Sequence, residues 1–230
     1  MSWVRVLPPL PGIFNEKRLS KASFLYRFRI GATGIELEGA TITYMQIGKL
    51  DFHPITERPE LLCAPTRSYL LAQDTTLRDK AFVADIDPMF AGGEALCAHY
   101  EIDPAMGGNC IILEASRGEN KWYVVCLVSP GSRIDLNGFV RKHVNARRIS
   151  LAPKDDAVSK SEMEYGSINV VGLPSNWTIL IDAKLASQPY IVMGSGLIGS
   201  KIAVPGELLQ ALPNSEVIDD LGSPVTRSYS

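Results

Sequence analysis

Two glycine-rich loops set among apolar runs constrain this chain more than any other feature. The stretch EYGSINVVGLPSNWTILID, residues 164–182, packs Gly166, Gly172 and Pro174 against apolar runs, and IVMGSGLIGSKIAV, residues 191–204, does so again. Apolar runs punctuated in this way read as short strands joined by tight loops. Small-residue loops cost conformational entropy, so they either fix a turn or let a ligand approach bare backbone.

The second loop holds a literal G-x-G-x-x-G, GSGLIG at 194–199, with an acid about 20 residues on in EVIDD. A dinucleotide site needs a helix to begin at the third glycine, so that its N-terminus points at pyrophosphate. Pro205 and Gly206 fall inside that would-be helix. Proline there removes a hydrogen bond and clashes with the preceding turn. Strand–loop–strand is the better parse, with Pro205 opening a new helix, and the dinucleotide reading fails.

The rest of the chain mixes short elements. RPELLCAPTRSYLLAQ reads as a proline-opened helix start, a break at Pro65 and a second helix. AFVADID reads as a strand and GGEALCAHYEI as a short helix, while NCIILEAS and KWYVVCLVS form a hairpin tipped by RGEN. RIDLNGFVRKHVN places Leu136, Phe139, Val140 and Val144 at helical spacing. ARRISLA is a strand and PKDDAVSKSEM a proline-initiated helix; TILID, YIVM and KIAV are strands, and PGELLQAL is a last helix. Without regular β-α-β alternation this predicts an α+β fold with a mixed or antiparallel sheet. Residues 1–48, with LPPLPG, the basic KRLSKASFLYRFRIG and a weak hairpin in ATGIELEGATITYM, read as a poorly ordered N-terminal extension with Met45 as an alternative start, or else as a normal first strand of the core. A domain over 49–222 and a tail over 223–230 follow.

Composition narrows the function. A net charge of −2 gives no molecule-wide field for nucleic acid, so any RNA contact rests on a local patch. The basic group Arg141, Lys142, Arg147 and Arg148 in FVRKHVNARR, followed by Lys154 and Lys160, is that patch or simply a solvated helix face. No apolar stretch approaches the roughly 18–20 residues of a membrane helix. The prolines of MSWVRVLPPLPG interrupt a signal peptide. Four widely spaced cysteines with no C-x-x-C fit a reducing cytoplasm. The three histidines lack metal-ligand spacing and G-x-S-x-G is absent. No metal and no cofactor are expected.

Taken in order, NCIIL, VSPGSRIDLNGFVRKH, NARRISLA, MEYGSI, VGLP, ILID, VMGSGLIGSK, PGELL and EVIDDLG resemble the YbaK-like aminoacyl-tRNA deacylases, relatives of the editing domain of bacterial prolyl-tRNA synthetases. The resemblance covers about 130 residues over 94–222, and DFHPITERPELL extends it back to residue 49. It implies an α+β fold around a mixed, barrel-like sheet surrounded by short helices. It also implies hydrolysis, in trans, of the ester joining a wrong amino acid to tRNA. The expected partners are mischarged tRNA and an aminoacyl-tRNA synthetase, not DNA or a membrane.

On that resemblance 166–170, GSINV, is the family's Gly-rich loop, whose backbone N–H groups stabilise the oxyanion. Ser167 stands where members commonly have a second glycine, and Val170 replaces a proline. Cys110 occupies the place of a family lysine, and Lys201 stands where members often carry an acid. Either the positive charge has moved to a facing strand or Lys201 is an ordinary solvated lysine. The implied catalytic set is Gly166, Ser167, Ile168 and Lys201. The implied substrate contacts are Cys110, Met163, Tyr165, Asn169, Gly194, Ser195 and Gly196. Water is the expected nucleophile. The alternative is a non-catalytic module of the same fold that binds an amino-acid-like ligand, tRNA or a synthetase, and the missing lysine is what supports it.

Overall fold

The structure, a computed structural model, describes residues 28–31, 34–37 and 44–224. The expectations for the other residues of the N-terminal extension and for 225–230 lie outside the described residues. A hairpin joins β1 (Phe28–Gly31) to β2 (Gly34–Leu37), taking its first strand from the end of the basic run and not from ATGIELEGATITYM. A second hairpin joins β3 (Met45–Ile47) to β4 (Leu50–Pro54). Met45 and Ile47 are buried, so the core sheet begins ahead of residue 49.

α1 (Ala64–Leu71) holds Pro65 in its first turn. A missing N–H costs nothing there, so the proline opens the helix and does not break it. After α2 (Thr75–Arg78) come β5 (Phe82–Asp85), α3 (Gly93–Tyr100), β6 (Asn109–Arg117), β7 (Asn120–Val128) and β8 (Ser132–Arg133). The expected helix over RIDLNGFVRKHVN is a π-turn, Leu136–Val140, running into α4 (Arg141–His143). The Asp135 carboxylate accepts from Gly138 N–H at 2.7 Å, and Val140 N–H reaches back five residues to Asp135 O at 3.0 Å. Val140 is buried, whereas Phe139 is exposed. β9 (Arg148–Leu151), α5 (Lys154–Ser161), β10 (Thr178–Asp182), α6 (Ala183–Ala186), β11 (Ile191–Gly194), β12 (Ser200–Val204), α7 (Gly206–Gln210), β13 (Ser215–Ile218) and β14 (Ser223–Pro224) complete the described chain.

Two five-stranded sheets result. One is mixed, in the order β13-β10-β7-β6-β9, with β10 parallel to both β7 and β13. The other, β11-β12-β5-β4-β3, is antiparallel throughout. A parallel bridge from Gly107 to Val192, with Gly108 N–H donating to Val192 O at 2.8 Å, ties the start of β6 to β11. The sheets thereby curl into a partial barrel, and the mixed, barrel-like α+β fold is the one expected.

Val125, Leu127, Ile179 and Ile181 of the mixed sheet pack on Val83, Ile191, Met193, Ile202 and Val204 of the antiparallel sheet. The alternation of β12 sends Ile202 and Val204 into this core. Ala203 joins a separate cluster, with Leu96 and Cys97 of α3, on the opposite face. Lys201, two residues before Ala203, falls on that α3 side by the same period. Residues 191–204 form a hairpin, and Pro205 stands immediately before α7.

Candidate active site

The 164–171 loop is held from two directions. On one side it rests on the turn joining β11 to β12. Gly196 N–H donates to Ser167 O at 2.9 Å, Glu164 N–H to Gly196 O at 2.9 Å, and Ser167 Oγ to Leu197 O at 2.7 Å. On the other side it meets the first turn of α1. Asn169 Nδ2 donates to Thr66 Oγ1 at 3.0 Å, Thr66 Oγ1 to Val171 O at 3.1 Å, and Val171 N–H to Asn169 Oδ1 at 2.6 Å. The second glycine loop is therefore the platform of the first.

This bracing spends alternate N–H groups of the loop. Ser167 N–H donates to Glu164 O at 3.0 Å and Asn169 N–H to Met163 Sδ at 3.4 Å. The Gly166 and Ile168 N–H groups have no acceptor among the described residues. Both residues line a cleft of about 360 Å³ between the sheets and α5. Unsatisfied backbone donors beside a cleft are the raw material of an oxyanion site.

Cys110, Tyr165, Gly194 and Lys201 line the same cleft. Met163, Ser167, Asn169 and Ser195 are buried in the scaffold behind it, and Gly196 packs against Cys63 and Met163. Ser195 Oγ shares a 2.6 Å hydrogen bond with Ser200 Oγ. At the mouth Tyr165 is 61% exposed, and Lys154 Nζ lies 4.5 Å from its ring centroid.

Lys201 is 3% exposed, so it is not a solvated strand lysine. Its ammonium donates to Ala91 O at 2.8 Å, and burial lowers its pKa to about 8. Burial, reinforced by Cys126, drives the Cys110 thiol well above the ordinary cysteine range. The basic group stands apart. Arg148 pairs with Ser116 on β6, six residues beyond Cys110, which at about 3.3 Å per residue is roughly 20 Å along the strand. Of Arg141, Lys142, Arg147, Arg148, Lys154 and Lys160, Lys154 alone lines the cleft.

Sequence reasoning missed Ala91, Cys97 and Leu151 in the lining, and Cys63 and Thr66 as loop anchors. The Gly92–Gly93 pair marks the first of these segments. The grip of Thr66 on Val171 spans 105 residues and leaves no local pattern.

The family model for the aminoacyl-tRNA editing domain matches residues 88–212, more than half of the chain. Among solved structures, a protein assigned provisionally as a trans-editing enzyme for prolyl tRNA synthetase superposes with a TM-score of 0.57 at 17% identity, covering 69% of this chain and 97% of its own. A structure from work on epitope backbone grafting onto scaffold proteins gives 0.56 at 17%, covering 68% and 96%. A hypothetical protein gives 0.53 at 15%, covering 61% and 90%. At these identities the likeness is one of fold. No curated protein matches by sequence.

Proposed function

The chain belongs to the aminoacyl-tRNA editing domain family, and from that premise we propose that it is a deacylase acting in trans on mischarged tRNA. The observation that carries the mechanism is the pair of unspent N–H groups, Gly166 and Ile168, on a braced loop that lines the cleft. Water adds to the carbonyl carbon of the aminoacyl ester, and the resulting tetrahedral oxyanion is held by these two donors. Collapse breaks the bond to the ribose oxygen, which leaves with a proton. The products are a free amino acid and an intact tRNA 3′ end. Backbone donors fixed before the reaction pay no reorganisation cost as charge develops, which is where such sites gain rate.

Water is the nucleophile in this reading because the half-buried Cys110 thiol is held in its neutral form. The single-stranded 3′ end enters past Tyr165 and Lys154, and the acceptor stem lies toward Arg141, Lys142, Arg147 and Arg148. The separation of roughly 20 Å suits a duplex that must stop short of the cleft. The working unit runs to residue 222 and includes β3. A panel of mischarged tRNAs tests the reading: ester cleavage above the uncatalysed rate, lost in Gly166→Ala, supports it. Tight tRNA or synthetase binding without cleavage would instead favour the non-catalytic module, for which Cys110 in place of the family lysine is the argument.

A further inference from the structure

Lys201 is a buried ammonium whose hydrogen-bond capacity is mostly unspent. An ammonium has three donors. Among the described residues only Ala91 O, at 2.8 Å, accepts from it, and no carboxylate of those residues forms an ion pair with it. The residue lines the cleft at 3% exposure, among Leu96, Cys97, Val192 and Met193, which offer no charge. A buried charge is costly unless it is paired. Here the pair is incomplete until something enters.

We infer that the cleft selects aminoacyl esters whose amino-acid side chain ends in a carboxylate, and that Lys201 is the residue that reads it. The inference rests on the deacylase reading above. An aliphatic side chain entering this space would strip water from the ammonium and return no acceptor, which is the arrangement that discriminates most strongly against an analogue. A hydroxyl would return one acceptor but no compensating charge. A carboxylate returns both, with charge-assisted hydrogen bonds to the two remaining donors. The substrate's own α-ammonium repels Lys201, so the side chain and not the amine faces it. A backbone phosphate of the tRNA is the other anion within the complex, and it would serve every aminoacyl ester equally.

The test charges acceptor-stem RNAs with alanine, serine, asparagine, aspartate and glutamate and measures kcat/KM for the full chain and for Lys201→Met, with thermal unfolding to verify the fold. The expected result is an aspartyl or glutamyl ester cleaved at least about tenfold faster than the alanyl ester, with that ratio falling at least about tenfold in Lys201→Met. An alanyl ester cleaved as fast as the acidic ones overturns the inference while leaving the deacylase reading intact. So does an equal loss for every ester in Lys201→Met, which would assign the ammonium to the phosphate or the ester itself. If the folded protein cleaves none of the five, the inference is overturned, and the wider panel of mischarged tRNAs decides the deacylase reading separately.

Discussion

Ser167 and Gly194 meet backbone to backbone: a Cβ built on Gly194 would collide with the carbonyl of Ser167. That carbonyl also accepts from Gly196 N–H at 2.9 Å, so the two glycine loops are fitted together at a single residue. Gly194→Ala must push the 166–170 loop off its platform. The loss of fit is expected to lower stability by about 1–3 kcal/mol, the range of overpacking changes, and to lower ester cleavage by more than the unfolded fraction explains. Unfolding and kcat measured on the same sample check this. A Gly194→Ala protein with native stability and rate would show that the contact is not needed.

Gly166 has a φ of +85°, and a Cβ there would stand 3.2 Å from Ile198 Cδ1. Gly166→Ala therefore carries backbone strain of about 1 kcal/mol or more. If its N–H is an oxyanion donor, the same change costs about 2–4 kcal/mol of transition-state stabilisation. The two effects separate by measuring kcat below the unfolding transition. A folded Gly166→Ala protein that cleaves normally would make the loop a mere turn and move the site elsewhere.

Cys110 gives the opposite expectation. A nucleophilic thiol needs a cationic neighbour or a helix N-terminus to lower its pKa. Cys110 pairs with Leu127 inside the mixed sheet, and burial raises its pKa. His99 is stacked on Phe90 with centroids 3.6 Å apart, and His143 is hydrogen-bonded to Glu216 at 2.8 Å. Cys110→Ser should keep most of the activity. Loss by several orders of magnitude in a folded protein would make the thiol the nucleophile after all.

Elements with a strong local period were legible in the sequence. The β6–β7 hairpin, α5 and the β11–turn–β12 hairpin follow from apolar runs, a proline at a helix start, and Pro205. The π-turn at Leu136–Val140 was not, because apolar spacing does not separate a turn closed five residues back, as Val140 N–H does on Asp135 O, from a regular helix closed four back. The glycine loops stood out as small-residue segments, but that one supports the other became visible only in three dimensions. Ser167 shows the limit. It reads as a departure from the family's glycine, yet its hydroxyl is buried and donates to Leu197 O at 2.7 Å. Ser167→Gly removes that hydrogen bond and should cost about 1 kcal/mol of stability.

Arg141, Lys142, Arg147 and Arg148 lie toward the far end of β6 and β9, away from the cleft. If they hold the acceptor stem by its phosphates, tRNA affinity should fall steeply with salt through counterion release. Reversing the charge of Arg147 and Arg148 should raise KM and flatten the salt slope by about one per lost contact, while kcat at saturation stays level. Unchanged KM and slope would return these residues to a solvated face.

Burying Lys201 carries a cost that depends on pH. Burial lowers its amine from an ordinary 10.5 to about 8, with the Cys97 thiol pulling weakly the other way. Between those values the unfolded chain holds a proton that the folded protein has released, so stability rises with pH across roughly 8 to 10.5. Below pH 8 the folded protein carries the full penalty, on the order of 3 kcal/mol at about 1.4 kcal/mol per pKa unit. Lys201→Met keeps the length of the side chain and removes the charge. At pH 7 it should therefore be more stable than the parent by about 1–3 kcal/mol. The gap should close as the pH approaches 10.5, because the parent gains what the variant never lacked. Denaturant unfolding of both proteins at pH 7 and 9.5 measures the difference directly, and other titrating groups cancel in the comparison. A variant less stable than the parent at pH 7 would mean that the folded protein already pairs this ammonium with an anion, and the cleft would have no unspent charge to offer a substrate.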